Sequence, residues 1–345
     1  MFTSTMSIST KLIRVFAMLA ITTTVTAVRA ECIPISSLPY VISQSGSYCL
    51  TSNLSISLSW GGDAINIKAS NVDLDFQGHT LTNTSTNATG YSVGVSIDAL
   101  DVPNINNVTV HNGTVTSFSG AIFGNNIQAG SDAYNLTVDQ MRAWFSKNAG
   151  IVLNGRNLTV TNNQIIRVTG GDNNAVGIQL TGNPVPGMPN RAVVRGNVIR
   201  LVGAKATATL KATASGIAAS NFSDILIRSN IIRDIWVPAT ASDDSRAVGI
   251  MIKQMNGPDQ IGGLLVQDNT VASTSQSLSV SKPNSVGVMI SFPGDHAIVT
   301  GSSIDSMTTG IDASNASSPN TPVLLLNNTI NGAAIPINGG VTLPL

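Results

Sequence analysis

The chain has 345 residues, of which 42% are hydrophobic, 4% aromatic and 10% charged, and its 18 basic side chains balance 18 acidic ones. This neutral balance excludes a general nucleic-acid binder, which needs a positively charged surface. The length allows one large core, and no proline-rich linker or charge block divides the chain into domains.

Residues 1–30 have the pattern of a secretory signal peptide. Lys11 and Arg14 precede an apolar run from Val15 to Val28, and small residues suited to a signal peptidase follow it. The run is shorter than the ~20 residues that a membrane-spanning helix needs. We therefore expect a secreted or periplasmic protein, without membrane insertion, whose mature domain covers residues 31–345.

The mature chain contains two cysteines, Cys32 and Cys49, both near its start. In an oxidising compartment this spacing predicts a disulfide, which contributes about 3 kcal/mol for a loop of that size. A metal or catalytic role has less support, because no histidine lies close in sequence. We expect residues 31–54 to form a disulfide-bonded cap at the N-terminal end of the domain.

Signals for helices are nearly absent. The mature chain has one glutamate, Glu31, and is rich in Val, Ile, Thr, Asn, Ser and Gly. This composition is typical of strands joined by turns, so the sequence predicts an all-β protein.

Two short units recur along the chain. In the first, a small or polar residue precedes a glycine and alternating aliphatic residues, and its copies begin at Ser92, Asn148, Ala175, Ala214, Ala247, Ser285 and Thr308. The second is an aliphatic strand followed by an asparagine, and its copies carry Asn163, Asn197, Asn230, Asn269 and Asn328, with Ser302 replacing one. Repetition of strand, turn, strand and loop buries its apolar face only when coil stacks on coil.

The repeats predict a single-stranded, right-handed parallel β-helix of about nine coils. The run from Ala64 to Leu81, followed by that from Asn107 to Val115, resembles the opening coils of the pectin lyase-like superfamily of right-handed β-helix proteins. The resemblance extends from about residue 50 to 335. It implies the fold and leaves the chemistry open, because this superfamily contains lyases, hydrolases, epimerases and adhesins.

The recurring asparagine has a structural explanation. Stacked amides at a turn can hydrogen-bond from coil to coil and satisfy backbone groups where the chain bends. We therefore interpret this column as a structural ladder in preference to a ligand site.

Four arginines are candidates for substrate binding. When the repeats are aligned, Arg195 falls over Arg228 and Arg200 falls over Arg233, which brings like charges onto adjacent coils. Such pairs repel unless a carboxylate or an anionic ligand lies between them. Either Asp224 and Asp234, which are near in sequence, complete a surface salt-bridge network, or the arginines line a groove for an acidic polysaccharide. Lys253 is a further candidate for substrate binding, and its convergence with Asp243 or Asp244 in one cleft would favour an enzyme.

Asp243 and Asp244 are the candidate catalytic residues. They form the only adjacent acidic pair and lie in 237–247, the middle one of three long insertions that also include 203–215 and 273–285. Two carboxylates can act as acid and base on a glycosidic bond, or can bind calcium, whereas an exposed turn is the structural alternative. No other cofactor or metal is expected.

The catalytic motifs of the superfamily's polygalacturonases, pectate lyases and epimerases do not occur here, so no catalytic residue is carried over from the resemblance. The first hypothesis is a monomeric secreted protein that binds an acidic polysaccharide and, as a lyase or glycoside hydrolase, cleaves it. The second is a non-enzymatic surface, adhesion or structural protein.

Overall fold

The computed structural model describes the greater part of the chain. The described residues are 31–58, 62–85, 92–97, 104–118, 120–124, 133–170, 174–185, 187–188, 190–204, 211–237, 245–253, 263–273, 285–291, 297–314, 323–339 and 341–342. Within them the secondary structure is β, and there is no helix that could cross a membrane.

The described residues form thirty strands. The first ten are β1 (Ile33–Ile35), β2 (Tyr40–Ile42), β3 (Gly46–Leu50), β4 (Leu54–Ile56), β5 (Gly62–Ile67), β6 (Val72–Asp75), β7 (Thr80–Asn83), β8 (Ser92–Ile97), β9 (Asn106–Thr116) and β10 (Gly120–Gly124). The next ten are β11 (Tyr134–Trp144), β12 (Ala149–Thr161), β13 (Gln164–Thr169), β14 (Asn174–Gly182), β15 (Arg191–Arg195), β16 (Val198–Gly203), β17 (Thr213–Ser220), β18 (Asp224–Arg228), β19 (Ile231–Trp236) and β20 (Arg246–Lys253). The last ten are β21 (Gly263–Gln267), β22 (Thr270–Ala272), β23 (Ser285–Ser291), β24 (Ala297–Thr300), β25 (Ser303–Asp305), β26 (Thr309–Asp312), β27 (Val323–Leu326), β28 (Thr329–Asn331), β29 (Ile335–Asn338) and β30 (Val341–Thr342).

Each central coil contributes three strands, as in the run β15, β16 and β17. Each pairs in parallel with the equivalent strand of the following coil, β18, β19 and β20. We call the three stacks column I, column II and column III, in that order. Columns I and II belong to one sheet and column III to another.

The strands curl about 320° around an axis, which makes the domain a right-handed parallel β-helix, as the repeats predict. Over the described residues, ten strands stack in column II, close to the nine or so coils expected. Alternate residues of each strand point inward, and Val194, Ile199 and Ile217 represent the three columns in the buried core.

The glycine of the first repeat is required by close packing between columns II and III. A Cβ atom on Gly249 would lie 2.6 Å from the carbonyl oxygen of Gly287 and would collide with Val271. The neighbouring coils have the same restriction at Gly150, Gly177, Gly216, Gly287 and Gly310.

The asparagine of the second repeat lies at the turn between columns I and II. Asn197 Nδ2 donates to Asn230 Oδ1 and to the carbonyl oxygen of Val160, both at 2.9 Å. Asn230 repeats this bond with Asn269 at 3.0 Å, and Asn163 repeats it with Asn197 at 3.0 Å. All four side chains are buried. The structural interpretation of this ladder is therefore confirmed.

The N-terminal segment contains the predicted disulfide between Cys32 and Cys49. Its strands continue column I, because β1 pairs with β3 and β3 pairs with β6. The segment that was expected to form a cap thus contributes paired strands to column I.

The first two long insertions begin and end at stacked positions. Gly203 pairs with Trp236 where the insertions begin, and Thr213 pairs with Arg246 where they end. Their anchors therefore lie on one side of the rod, between columns II and III. The central parts of the three insertions, 205–210, 238–244 and 274–284, lie outside the described residues.

Candidate functional site

The four predicted arginines pair in the register that the repeats indicate. Arg195 is the partner of Arg228 in column I, and Arg200 is the partner of Arg233 in column II. All four side chains are exposed. The two pairs lie on either side of the asparagine turn, because Arg195 ends one strand of the coil and Arg200 belongs to the next strand.

The carboxylates expected between these arginines are engaged elsewhere. Asp224 Oδ2 accepts a hydrogen bond from Arg191 Nε at 3.1 Å, and Asp234 is buried. Arg228 is paired instead with Asp268, at 3.5 Å. Among the described residues no carboxylate forms an ion pair with Arg195, Arg200 or Arg233. A closed salt-bridge network of Asp224 and Asp234 is therefore wrong as an account of these charges.

An exposed aromatic residue, Trp144, lies in the same stack as the column II arginines, and a second one, Phe145, follows it in the chain. Trp144, Ile166, Arg200 and Arg233 are successive register partners on four consecutive coils. The rings of Trp144 and Phe145 stack with centroids 5.2 Å apart and planes inclined by 11°. They remain 38% and 41% exposed, which is unusual for stacked large apolar side chains and marks a contact surface.

Guanidinium groups cover both rings. Arg142 lies 6.0 Å from the centroid of Trp144, and Arg167 lies 5.0 Å from that of Phe145. Each contact has the geometry of a cation–π interaction. We call this surface the basic–aromatic face, and its residues are Arg142, Trp144, Phe145, Arg167, Arg200 and Arg233.

A depression of about 310 Å³ adjoins the basic–aromatic face at the turn between columns I and II. Arg142 lies on one side of it, with Gln164, whose Oε1 accepts a hydrogen bond from Arg142 at 3.1 Å. Asn112 and Asn162 lie on the other side. The depression therefore offers amide groups and one guanidinium beside two exposed rings.

A histidine–carboxylate pair lies on column I of the same coils. His111 Nε2 is 3.0 Å from Asp73 Oδ1, and its register partners on the two adjacent coils are Asp75 and Asp139. Asp139 accepts a hydrogen bond from Thr161 at 2.6 Å. His111, which sequence spacing alone had left isolated, is thus paired with Asp73 and has an aspartate at the same register position on each adjacent coil.

Sequence reasoning missed both features, each for its own reason. The coil of β11 carries Met141 where other coils carry the ladder asparagine, and its backbone N–H donates to Asn163 Oδ1 at 2.8 Å. The repeat was therefore not recognised across Trp144. Aligning Val72–Asp75 with Val108–His111 would have placed Asp75 beside His111, as the register shows.

The remaining predicted residues do not join this face. Lys253 ends β20 in column III, on the other sheet, about 23 Å along the strand from Arg246 at its start. Asp243 and Asp244 lie outside the described residues. Within the described part of the chain no three His, Cys, Asp or Glu side chains converge as a metal site, so calcium remains a prediction tied to Asp243 and Asp244.

Known proteins were compared with the chain at three levels. No protein-family model matches, and no curated protein matches. Two solved structures show similarity to the chain. The A-module of the mannuronan C-5 epimerase AlgE4 from Azotobacter vinelandii has a TM-score of 0.47 and 13% identity, over 91% of this chain and 85% of that one. The catalytic domain of a GH87 α-1,3-glucanase has a TM-score of 0.26 and 14% identity, over 87% and 61%.

The basic–aromatic face has a definite chemical capacity. Planar guanidinium groups donate paired hydrogen bonds to carboxylates and sulfates, and exposed rings offer apolar area for the C–H face of a sugar. From the coil of Trp144 to that of Arg233 the face is about 14 Å long, at the usual spacing of paired strands. It can hold an extended anionic ligand parallel to the rod.

Proposed function

We propose that this chain is an exported β-helix protein that binds an acidic polysaccharide along the basic–aromatic face. The observation that carries the proposal is the stack of Trp144, Ile166, Arg200 and Arg233 on four consecutive coils. In this stack an exposed ring is aligned with two guanidinium groups that form no ion pair with the described residues. Export is supported by the disulfide between Cys32 and Cys49, which persists in oxidising compartments.

The negative charge of such a ligand would explain why Arg200 and Arg233 occupy the same register position on adjacent strands. An anionic polymer lying along column II would neutralise Arg200 and Arg233 together, with Trp144 and Phe145 against its apolar faces. Each charge-assisted hydrogen bond contributes about 1.5–3 kcal/mol when it is sheltered from water. Binding should weaken as salt rises, because exposed charges are screened.

Cleavage is the finer part of the proposal. The described chain before the segment that contains Asp243 and Asp244 ends at Val237, four residues beyond Arg233 of the basic–aromatic face. As a pair, these carboxylates would supply the acid and the base for a hydrolase. A lyase would instead need a base near the arginines.

A binding protein without catalysis is the second candidate, in a structural or adhesive role. The carboxylates of the first coils favour it, because they serve as hydrogen-bond acceptors within the wall of the rod. Asp139 accepts from Thr161 and Asn162, and Asp75 accepts from Asn112. Groups held in this way stabilise the surface of the first coils.

The test is binding of residues 31–345 to polygalacturonate, alginate and heparin, with neutral dextran as reference. We expect the Arg200→Ala/Arg233→Ala double variant, and Trp144→Ala, to bind acidic polymers at least about tenfold more weakly, a change of about 1.4 kcal/mol. Arg191→Ala is the matched control, because Arg191 is also an exposed strand arginine but is bonded to Asp224. Equal affinity for dextran, or equal losses in the control, would overturn the proposal.

Catalysis is followed in the same samples, with and without calcium. New absorbance from unsaturated products would indicate a lyase, and new reducing ends alone would indicate a hydrolase. Loss of the reducing ends in Asp243→Asn and Asp244→Asn would support their catalytic role. Binding without either product would favour the non-enzymatic candidate.

A further inference from the structure

The outward surface of column III contains a second cavity, of about 240 Å³, on a different sheet from the basic–aromatic face. It follows β17 from Thr213 to Ser220, a distance of about 23 Å at the usual rise of a strand. Gln179 lines it from the preceding coil, and Met251 and Lys253 line it from the following coil. We call this cavity the column III groove.

The groove contains a buried hydroxyl group with no partner. The Oγ atom of Ser215 is inaccessible to solvent and makes no hydrogen bond, and the whole residue is 0% exposed. Its register partners on the two adjacent coils are Val176 and Val248. Packing at this position is thus satisfied by an aliphatic side chain, and the hydroxyl is an exception that destabilises the unliganded protein.

The polar groups of the groove define the ligand. Gln179 offers an amide, Thr213 and Ser220 offer hydroxyls at the two ends, and Lys253 is the one charged group among its described lining residues. The described lining includes no carboxylate. Apolar area between the polar groups comes from Val176, Ala218 and Met251, and the methionine can adapt its shape to a ligand.

We propose that the column III groove binds a short acidic oligosaccharide, with its carboxylate or sulfate at Lys253 and one of its hydroxyl groups bonded to Ser215. A narrow cavity this long fits an extended chain better than a compact ligand. The alternation of hydroxyl and amide groups with small aliphatic side chains matches the alternation of hydroxyls and C–H faces on a sugar chain. The choice of an acidic glycan rests on the proposed function, whereas the groove itself stands on the cavity and on Ser215.

The experiment titrates residues 31–345 with the galacturonic acid trimer and, as the neutral reference, with cellotriose. We expect two binding events for the acidic trimer, one on each sheet. Lys253→Gln should remove the groove event or weaken it about tenfold, while the Arg200→Ala/Arg233→Ala double variant should remove only the other. If the double variant binds the acidic trimer as the wild type does, and binding in the groove is retained, the result would support the groove and reject the basic–aromatic face.

Ser215→Ala separates a binding role from a structural one. Without ligand it should raise the melting temperature, since an unpaired buried hydroxyl is removed, and it should weaken the groove event about fivefold. Ser55→Ala, at an exposed serine of β4 that belongs to neither site, is the matched control and should change neither value. A lower melting temperature with unchanged binding, or a single event that Lys253→Gln leaves intact, would overturn the proposal.

Discussion

Arg200 and Arg233 are register partners on adjacent strands of column II, and both guanidinium groups are exposed. Paired strands place their Cα atoms about 4.8 Å apart, a separation at which like charges destabilise a sheet. No carboxylate of the described residues forms an ion pair with either group. A repulsive pair in the wall of a rigid rod is the kind of exception to packing rules that occurs at functional surfaces.

Relief of this repulsion should be measurable. We expect Arg233→Gln to raise the free energy of unfolding at low ionic strength, by less than about 1 kcal/mol, and to lose that gain near 1 M salt, where charges are screened. Urea unfolding at the two ionic strengths measures the difference. The control Arg191→Gln breaks the bond with Asp224 and should not be stabilising. A loss of stability in Arg233→Gln at both salt concentrations would contradict the interpretation.

The ladder between columns I and II should be sensitive to a single substitution. Asn197→Ala leaves the N–H and Nδ2 of Asn163 without their acceptor and the carbonyl oxygen of Val160 without a donor. We expect the free energy of unfolding to fall by about 3 kcal/mol, since unpaired buried polar groups are costly. Asn331→Ala, at an exposed asparagine, should change it by less than about 0.5 kcal/mol. Similar values for the two variants would show that the ladder adds little stability.

Gly249 should not tolerate a side chain. Its Cβ would lie 2.6 Å from the Gly287 carbonyl oxygen and against Val271, so Gly249→Ala forces two coils apart. We expect the free energy of unfolding to fall by about 1–3 kcal/mol, as in other overpacked cores. Gly263→Ala is the control, because its Cβ would approach only the end of the Asp224 side chain, at 3.1 Å. Chemical denaturation of both variants makes the comparison, and equal stability would argue against the close approach of columns II and III.

The disulfide should stabilise the first coils by constraining the unfolded chain. Cys32 and Cys49 are separated by 17 residues, for which loop closure predicts about 3 kcal/mol. Unfolding of the Cys32→Ser/Cys49→Ser variant should therefore begin at lower denaturant than that of the oxidised wild type. Reductant should destabilise the wild type to the level of the variant and leave the variant unchanged. A response of the variant to reductant would point to another cause.

Tyr48 should make stability depend on alkaline pH. Burial raises the pKa of its phenol, with a smaller contribution from Tyr40, and its hydroxyl donates to the Gln44 carbonyl oxygen at 2.9 Å. The unfolded chain then releases this proton first, so the contribution is complete below about pH 10 and is lost as pH rises through the raised pKa. Tyr48→Phe should be less stable at neutral pH but should show a shallower alkaline decline. Parallel pH profiles would refute this role.

The local patterns predicted the fold and its main supports. Alternating aliphatic residues, a recurrent glycine and a recurrent asparagine led to a parallel β-helix, to a structural ladder through Asn197, and to the pairing of Arg200 with Arg233. Each of these depends on residues that repeat from coil to coil, so aligning the copies is equivalent to stacking them. The cysteines are predictable for another reason, because a chain with two cysteines has only one possible intramolecular pairing.

The composition of the surfaces was decided by tertiary structure. Trp144 stacks with the arginines because the turn at Met141 has the same backbone path as the turns that carry a ladder asparagine. Since methionine replaces asparagine there, alignment of the sequence repeats does not recognise this coil. Lys253 and Ser215 face a different cavity because column III belongs to the other sheet, a separation that spacing along the chain does not encode. Repetition in sequence specifies which residues stack, whereas the bends between columns specify which stacks face the same ligand.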